Sequence, residues 1–172
     1  MAGRMVQIAT NTVSSPVSSV ELTGINTDDP YILTFSNFRG SNDNAIPYLR
    51  ILTSGTPDTS SNFRRTNVEM KAYAGFVFNG YNAGQNFMYL TSGGTGTATG
   101  ETAEGTVHLY NFNNSSGYNF GFIDAVTHTA QAQSESWTGG FVHNVQQSAD
   151  GVQLYMSAGN IETGVFSLYK LF

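Results

Sequence analysis

The sequence predicts an all-β fold: an antiparallel two-sheet sandwich of jelly-roll type, with about ten strands. Three observations predict it. Short runs of alternating apolar and polar residues recur along the chain, at the two-residue period of a half-buried strand. Gly, Asn, Asp, Ser and Pro cluster between the runs, where turns need them. No stretch of useful length carries apolar residues at helical spacing. Composition agrees. Among 172 residues, 11% are charged and 13% aromatic, with Gly 19, Phe 12 and Tyr 9. A disordered chain would be charge-rich and aromatic-poor, and a helical bundle needs Ala, Glu, Lys and Leu.

Residues 1–16 read as a mostly polar N-terminal extended arm. Val6 and Ile8 alternate with polar neighbours, but Asn11 to Ser15 is turn-like and Pro16 breaks any ladder. Residues 17–172 read as a single β-sandwich domain. Val20 and Leu22 face one way and Ser19, Glu21 and Thr23 the other, until Gly24 ends the run. Asp28-Asp29-Pro30 is a turn before a strand over Tyr31 to Phe38. Tyr48 to Thr53 is the next strand, after a Gly/Asx loop. Asn67 to Phe78 reads as one long alternating strand, ended by a turn at Asn79-Gly80. Asn86 to Thr91 is short and apolar, and Ser92 to Gly105 is a Gly/Thr-rich mobile loop. Gly105 to Phe112 alternates again. Tyr118 to Val126 is a mostly apolar strand with a bulge expected at Gly121. Ser134 to Val145 contains Trp137, and a bend is expected at Gly139-Gly140. Val152, Leu154 and Met156 share one face, and Val165 to Phe172 closes the chain. The aromatic residues are more numerous than a core needs, which places some on the outer surface.

Several function classes fall away. Seven basic against twelve acidic residues give a net charge of −5, so nucleic acid is not an expected partner, because phosphate binding needs clustered Lys and Arg. No run approaches the ~18 apolar residues of a membrane-spanning helix, and no membrane partner is expected. With Cys at zero, disulfides, zinc thiolates and cysteine nucleophiles are excluded. The N-terminus Met1 to Ile8 lacks the apolar core of a signal peptide, so synthesis in a cytosol is expected, with release by lysis or within an assembled particle.

No catalytic constellation stands out. His108, His128 and His143 lie too far apart in sequence for a local metal pair. There is no G-x-S-x-G elbow, and most of the carboxylates sit in turns, where Asp caps its own backbone. Gly93 to Gly100 mimics a phosphate loop but lacks the Lys-Ser/Thr ending and a following helix. The expectation is no enzyme, no metal and no cofactor. Two loops do mix rings with amides as sugar sites do: the loop holding Tyr81 and Asn82, and the segment from Tyr110 to Tyr118. Hairpin tips carry the same mixture, so these four residues are candidate glycan or partner contacts.

The run Ser18-Ser19-Val20-Glu21-Leu22-Thr23-Gly24-Ile25, followed by Tyr31-Ile32-Leu33, resembles the opening of β-sandwich structural proteins in the virions of tailed bacteriophages, many from cyanophages and other marine phages. Tyr48-Leu49-Arg50-Ile51 and the pair Asn62-Phe63 continue the likeness. The most specific part is the closing run, Ser157-Ala158-Gly159-Asn160-Ile161 and then Gly164-Val165-Phe166-Ser167-Leu168-Tyr169. Lys170 departs from the Gly that the family commonly carries after Leu-Tyr. The resemblance implies a virion structural protein without catalytic residues, foremost a capsid decoration or cement protein. Its implied partners are the major capsid protein or other virion proteins, and its location the virion. A homo-oligomer is expected, trimers being common for jelly rolls in virions. In this reading Arg4, Val6 and Ile8 on the arm grip a neighbouring subunit. The alternative is a tail- or fibre-associated module that binds host-surface carbohydrate.

Overall fold

The computed structural model describes residues 4–172, with the side chains of 81–83 outside the described residues. It is all-β, and no helix occurs among the described residues. The strands are β1 (Met5–Val13), β2 (Ser19–Thr23), β3 (Tyr31–Gly40), β4 (Pro47–Thr53), β5 (Thr56–Pro57), β6 (Phe63–Lys71), β7 (Gly75–Gln85), β8 (Met88–Tyr89), β9 (Ala103–Tyr110), β10 (Asn119–His128), β11 (Ser134–His143), β12 (Gly151–Met156) and β13 (Ile161–Leu171). The eight-stranded sheet has the order β1-β13-β3-β9-β10-β11-β6-β7. The five-stranded sheet has the order β2-β12-β4-β5, with β8 also on β4. All the pairings are antiparallel.

One ribbon makes both sheets. The segments β1–β2, β3–β4 and β13–β12 lie side by side as β1-β13-β3 in the large sheet and again as β2-β12-β4 in the small one. The ladder continues around the corner between them. Val17 and Ile161 exchange backbone bonds of 3.0 and 2.8 Å, Ser41 N–H donates to the Asn160 carbonyl at 2.9 Å, and Ser157 N–H to that of Ile46 at 2.9 Å. This folded-over ribbon is the jelly-roll-like part of the architecture.

Alternation decides which side chains enter the core. Leu33 and Phe35, Val107 and Leu109, Ile123, and Phe166 and Leu168 point inward from the large sheet. Val20, Leu22, Leu49, Ile51, Val152 and Leu154 meet them from the small one. Bulk is balanced along the rows. Gly105 lies opposite Phe35 in the ladder, and a Cβ at Gly105 would stand 2.6 Å from the Phe35 ring.

Several expectations are corrected. Residues 5–13 are no free arm but the edge strand β1, paired with β13 from Met5↔Leu171 to Val13↔Gly164. Arg4 N–H and C=O both bond Phe172, at 3.2 and 2.9 Å, and its guanidinium lies 5.4 Å from that ring. Val6 pairs with Lys170, and Ile8 packs against the core at the register shift between Gln7 and Ala9. Arg4, Val6 and Ile8 are thus engaged within their own chain. Of the β1 side chains Val13 is buried, Ile8 and Ala9 are partly buried against the core, and Thr10 to Thr12 are exposed. Thr10 secures the strand, bonding the Phe166 carbonyl at 3.1 Å and the Ser167 hydroxyl at 2.9 Å.

The run Asn67 to Phe78 is not one strand. It turns at Ala72 to Ala74, where Gly75 takes φ +76° to close a tight hairpin, and Asn79-Gly80 lies inside β7. Gly121 and the Gly139-Gly140 pair cause no bulge or bend: β10 and β11 pair without a break from Asn119↔His143 to His128↔Ser134. These glycines create space instead. A Cβ at Gly121 would meet the Phe141 ring at 2.2 Å, and one at Gly139 the Thr66 carbonyl at 2.4 Å.

Candidate functional site

The outer face of β10-β11-β6-β7 is the candidate site. β10 alternates strictly, sending Ile123 and Ala125 inward and Phe120, Phe122, Asp124 and Val126 outward. Both parities of this strand are therefore rich in apolar side chains, although only one parity meets the core. The same holds at the start of β7, where Phe76 and Phe78 project outward.

Register assembles these residues into a trough. Phe122 lies beside Gly140, Gly140 beside Thr66, and Thr66 beside Gly80. Two glycines and a threonine thus form a low floor across β11, β6 and β7. Phe120, Phe122 and Val126 wall one side from β10, and Phe76 and Phe78 wall the other from β7. The backbones of the two walls are three strand spacings apart, roughly 14 Å. The trough opens into three shallow cavities. One of about 330 Å³ is lined by Met70, Phe76 and Val126. One of about 590 Å³ lies among Phe78, Phe122, Thr138 and Gly140. One of about 580 Å³ lies at Phe120, Gly80 and Arg64.

The apolar area is large. Phe76 is 69% exposed, Phe78 79%, Phe120 47% and Phe122 44%. At roughly 200 Å² for a fully exposed ring, they present about 480 Å². That already lies in the upper half of the ~300–600 Å² typical of the largest apolar patch on a monomer. Met70, Val126 and Tyr110 enlarge it further.

The inner face behind β6 and β7 is polar and tightly paired. Lys71 Nζ sits 3.1 Å from Glu69 and 3.6 Å from Glu135. Tyr73 and Ser92 donate to the two Glu135 carboxylate oxygens at 2.6 and 2.7 Å, and Asn79 donates to Glu69 at 2.8 Å. Burial pushes the Glu135 carboxyl up, but the bonds from Tyr73 and Ser92 and the Lys71 charge outweigh it and hold its pKa below 4.5. Burial works against the Lys71 ammonium, yet Glu69 and Glu135 hold its pKa above 10.5. This cluster fixes the β6–β7 hairpin and hence one wall of the trough. Beside it, Arg65 stacks over Tyr89 at 4.3 Å and Trp137 at 5.0 Å.

The sequence-predicted residues are only partly brought together. Tyr110 is opposite Phe120 in the β9–β10 ladder, its ring parallel to His108 at 6.3 Å, and Tyr118 lies exposed just before β10. These residues extend the trough wall. Tyr81 and Asn82 lie on β7, and their side chains are outside the described residues. The backbone of Tyr81 shares a row with Arg65, Phe141, Gly121 and Leu109. It is therefore four strand spacings, roughly 19 Å, from β9. The two proposed loops do not form one site. Phe76, Phe78, Phe122 and Gly140 were missed. Their signal was the apolar content of both parities in one antiparallel strand, which a single buried face does not need.

The histidines are dispersed: His108 and His128 are on the outer face, and His143 is fully buried. Among the described residues, no three His, Cys, Asp or Glu side chains gather in a way that could hold a metal ion.

No family model matches the chain, and no curated protein does. Among solved structures, a chain of "Structure of infectious bursal disease virus Gx strain" is similar at 9% identity and a TM-score of 0.14, over 99% of this chain and 40% of that one. The chain therefore spans less than half the length of that neighbour, and a TM-score of 0.14 carries no argument about fold or function.

Proposed function

We propose that this chain is a non-catalytic structural protein of a tailed-phage virion, a capsid decoration or cement protein that docks through the outer face of its large sheet. The observation that carries the docking role is the trough: about 480 Å² of exposed phenylalanine on one sheet face, floored by glycine and threonine, with Asp124 between Phe122 and Val126 on its β10 wall. The virion setting is supported by the sequence resemblance of the opening and closing runs. Low charge suits the role, since few ions need be stripped of water when a broad face is covered.

The test is attachment. Particles of the phage that encodes the chain, prepared without it, are expected to rebind the purified protein and regain heat resistance. Phe122→Asp, placed at the centre of the trough, is expected to weaken attachment by about 30-fold or more, as loss of a central aromatic anchor does. Particles that are equally robust without the chain and do not rebind it would overturn the proposal.

A second reading is favoured by the exposed row Tyr110, Phe120 and Tyr118, whose open rings suit sugar stacking: a tail or fibre module for host carbohydrate. It predicts hits on a glycan array that Tyr110→Ala removes while leaving the melting temperature unchanged. A blank array with the wild-type chain eliminates this reading.

A further inference from the structure

We propose that the open edge of β7 pairs with the β7 edge of a second copy of this chain, antiparallel about a two-fold axis. The four sheet edges are not alike. β5 is two residues long and ends in Pro57. β2 is five residues long, carries Glu21 and follows Pro16 closely. β1 is broken by the register shift between Gln7 and Ala9, and its exposed positions after Met5 are polar. Each of these carries a device that discourages strand addition.

β7 carries none. It is eleven residues long, GFVFNGYNAGQ, with no proline and no charge. It pairs with β6 and with no other strand among the described residues. In an antiparallel pair, every second residue turns its N–H and C=O away from its partner, so β7 presents a row of open donors and acceptors. Another extended strand satisfies them, and extended main chain is the chemistry that fits.

The edge itself points to a second copy as the occupant. Two identical antiparallel edges related by a two-fold axis always match donor to acceptor. Because β7 is neutral, the match brings no like charges together. With the axis perpendicular to the sheet, both outer faces lie on the same side. With that axis at Val77, inside the unbroken run, Phe76 of one copy lies opposite Phe78 of the other, and the two troughs join on one continuous sheet. The two phenylalanines expose about 300 Å² of ring per copy, about 600 Å² in the pair, which is the small scale of weak, transient contacts below ~1,200 Å². A reversible dimer follows, and a two-fold contact of this kind does not close a trimer.

Sedimentation velocity on the full chain over a dilution series tests this independently of the virion reading, which concerns attachment to particles. The wild type is expected as a dimer that dissociates on dilution. The double variants F76K/F78K and F76E/F78E are each expected to be monomeric, with wild-type circular dichroism and melting temperature. Mixing them is expected to restore a dimer through paired opposite charges. A wild-type monomer at every soluble concentration, an oligomer that survives either double variant, or a mixture that stays monomeric would overturn the proposal.

Discussion

Phe166→Ala is expected to cost about 3–5 kcal/mol and to lower the melting temperature by about 10 °C or more. Phe166 is fully buried on β13, the strand shared by the β1 and β3 ladders. Its ring meets Phe38 edge-on, with centroids 4.8 Å apart at 90°, and Phe38 in turn meets Phe35 at 6.0 Å. Gly164 leaves space for the ring, since a Cβ there would stand 2.4 Å from Phe166 Cζ. Truncation therefore removes contacts on every side at the point where the folded-over ribbon holds both sheets together. Paired ladders restrict how far the backbone can collapse into the cavity, so little of the loss is recovered. The matched control is Phe122→Ala on the outer face of the same sheet, expected to stay within about 0.5 kcal/mol of wild type. Thermal melts of the two variants decide the assignment of faces. Equal destabilisation by both, or a fall below 3 °C for Phe166→Ala, would mean that the core is not where the alternation puts it.

The two-sheet architecture was legible because a half-buried strand writes its buried face into every second residue. Val20 and Leu22, Leu49 and Ile51, and Val152, Leu154 and Met156 are apolar at the positions the structure buries. The pairing order was not legible, since β13 finds β3 and β1 through contacts across the length of the chain that leave no local trace. Glycines misled for a related reason. At Gly121 and Gly139 the sequence shows a residue suited to turns, whereas the structure uses the missing Cβ to admit the Phe141 ring and to bring β11 against β6. Only the neighbouring strand reveals the difference. The real hairpin hid behind Ala72-Tyr73-Ala74, residues with no strong turn preference, and Gly75 alone supplied the positive φ.

The candidate site was half legible. Aromatic surplus implied exposed rings, and Tyr110 and Tyr118 do border the apolar face. The loop-based reading looked for function at hairpin tips. The trough instead lies on strand faces, where Phe122 and Phe78 are separated by Gly140, Thr66 and Gly80, drawn from three different strands. Such a surface exists only once register is set.

Acidification from pH 7.5 to 5 is expected to destabilise the wild type, and His143→Phe is expected to flatten that response. His143 is fully buried near the end of β11, with Nε2 3.1 Å from Asp58 Oδ2 and its ring edge-on to Phe63 at 4.8 Å. Burial pushes the imidazole pKa below 6.5; the Asp58 carboxylate acts in the opposite direction without cancelling it. In the unfolded chain the same group titrates near 6.5. Between these two values the unfolded chain binds more protons, so unfolding becomes easier as pH falls. The contribution is complete above pH ~6.5 and is lost as the pH drops toward the folded value, with a slope no steeper than about 1.4 kcal/mol per pH unit for one proton. Asp58 adds a second, more acidic window of the same sign. Burial raises its carboxyl, but Ser60 and Gln147 donate to it, Gln147 at 2.9 Å, and together with His143 hold its pKa below 3.8. Phenylalanine preserves the ring packing on Phe63 and has no proton to gain, so His143→Phe isolates the first window from all other acids. Melting temperatures at half-unit pH steps decide the matter. A wild-type curve that is level between pH 7.5 and 5, or a variant that loses stability as steeply as wild type, would remove His143 as the source of acid sensitivity.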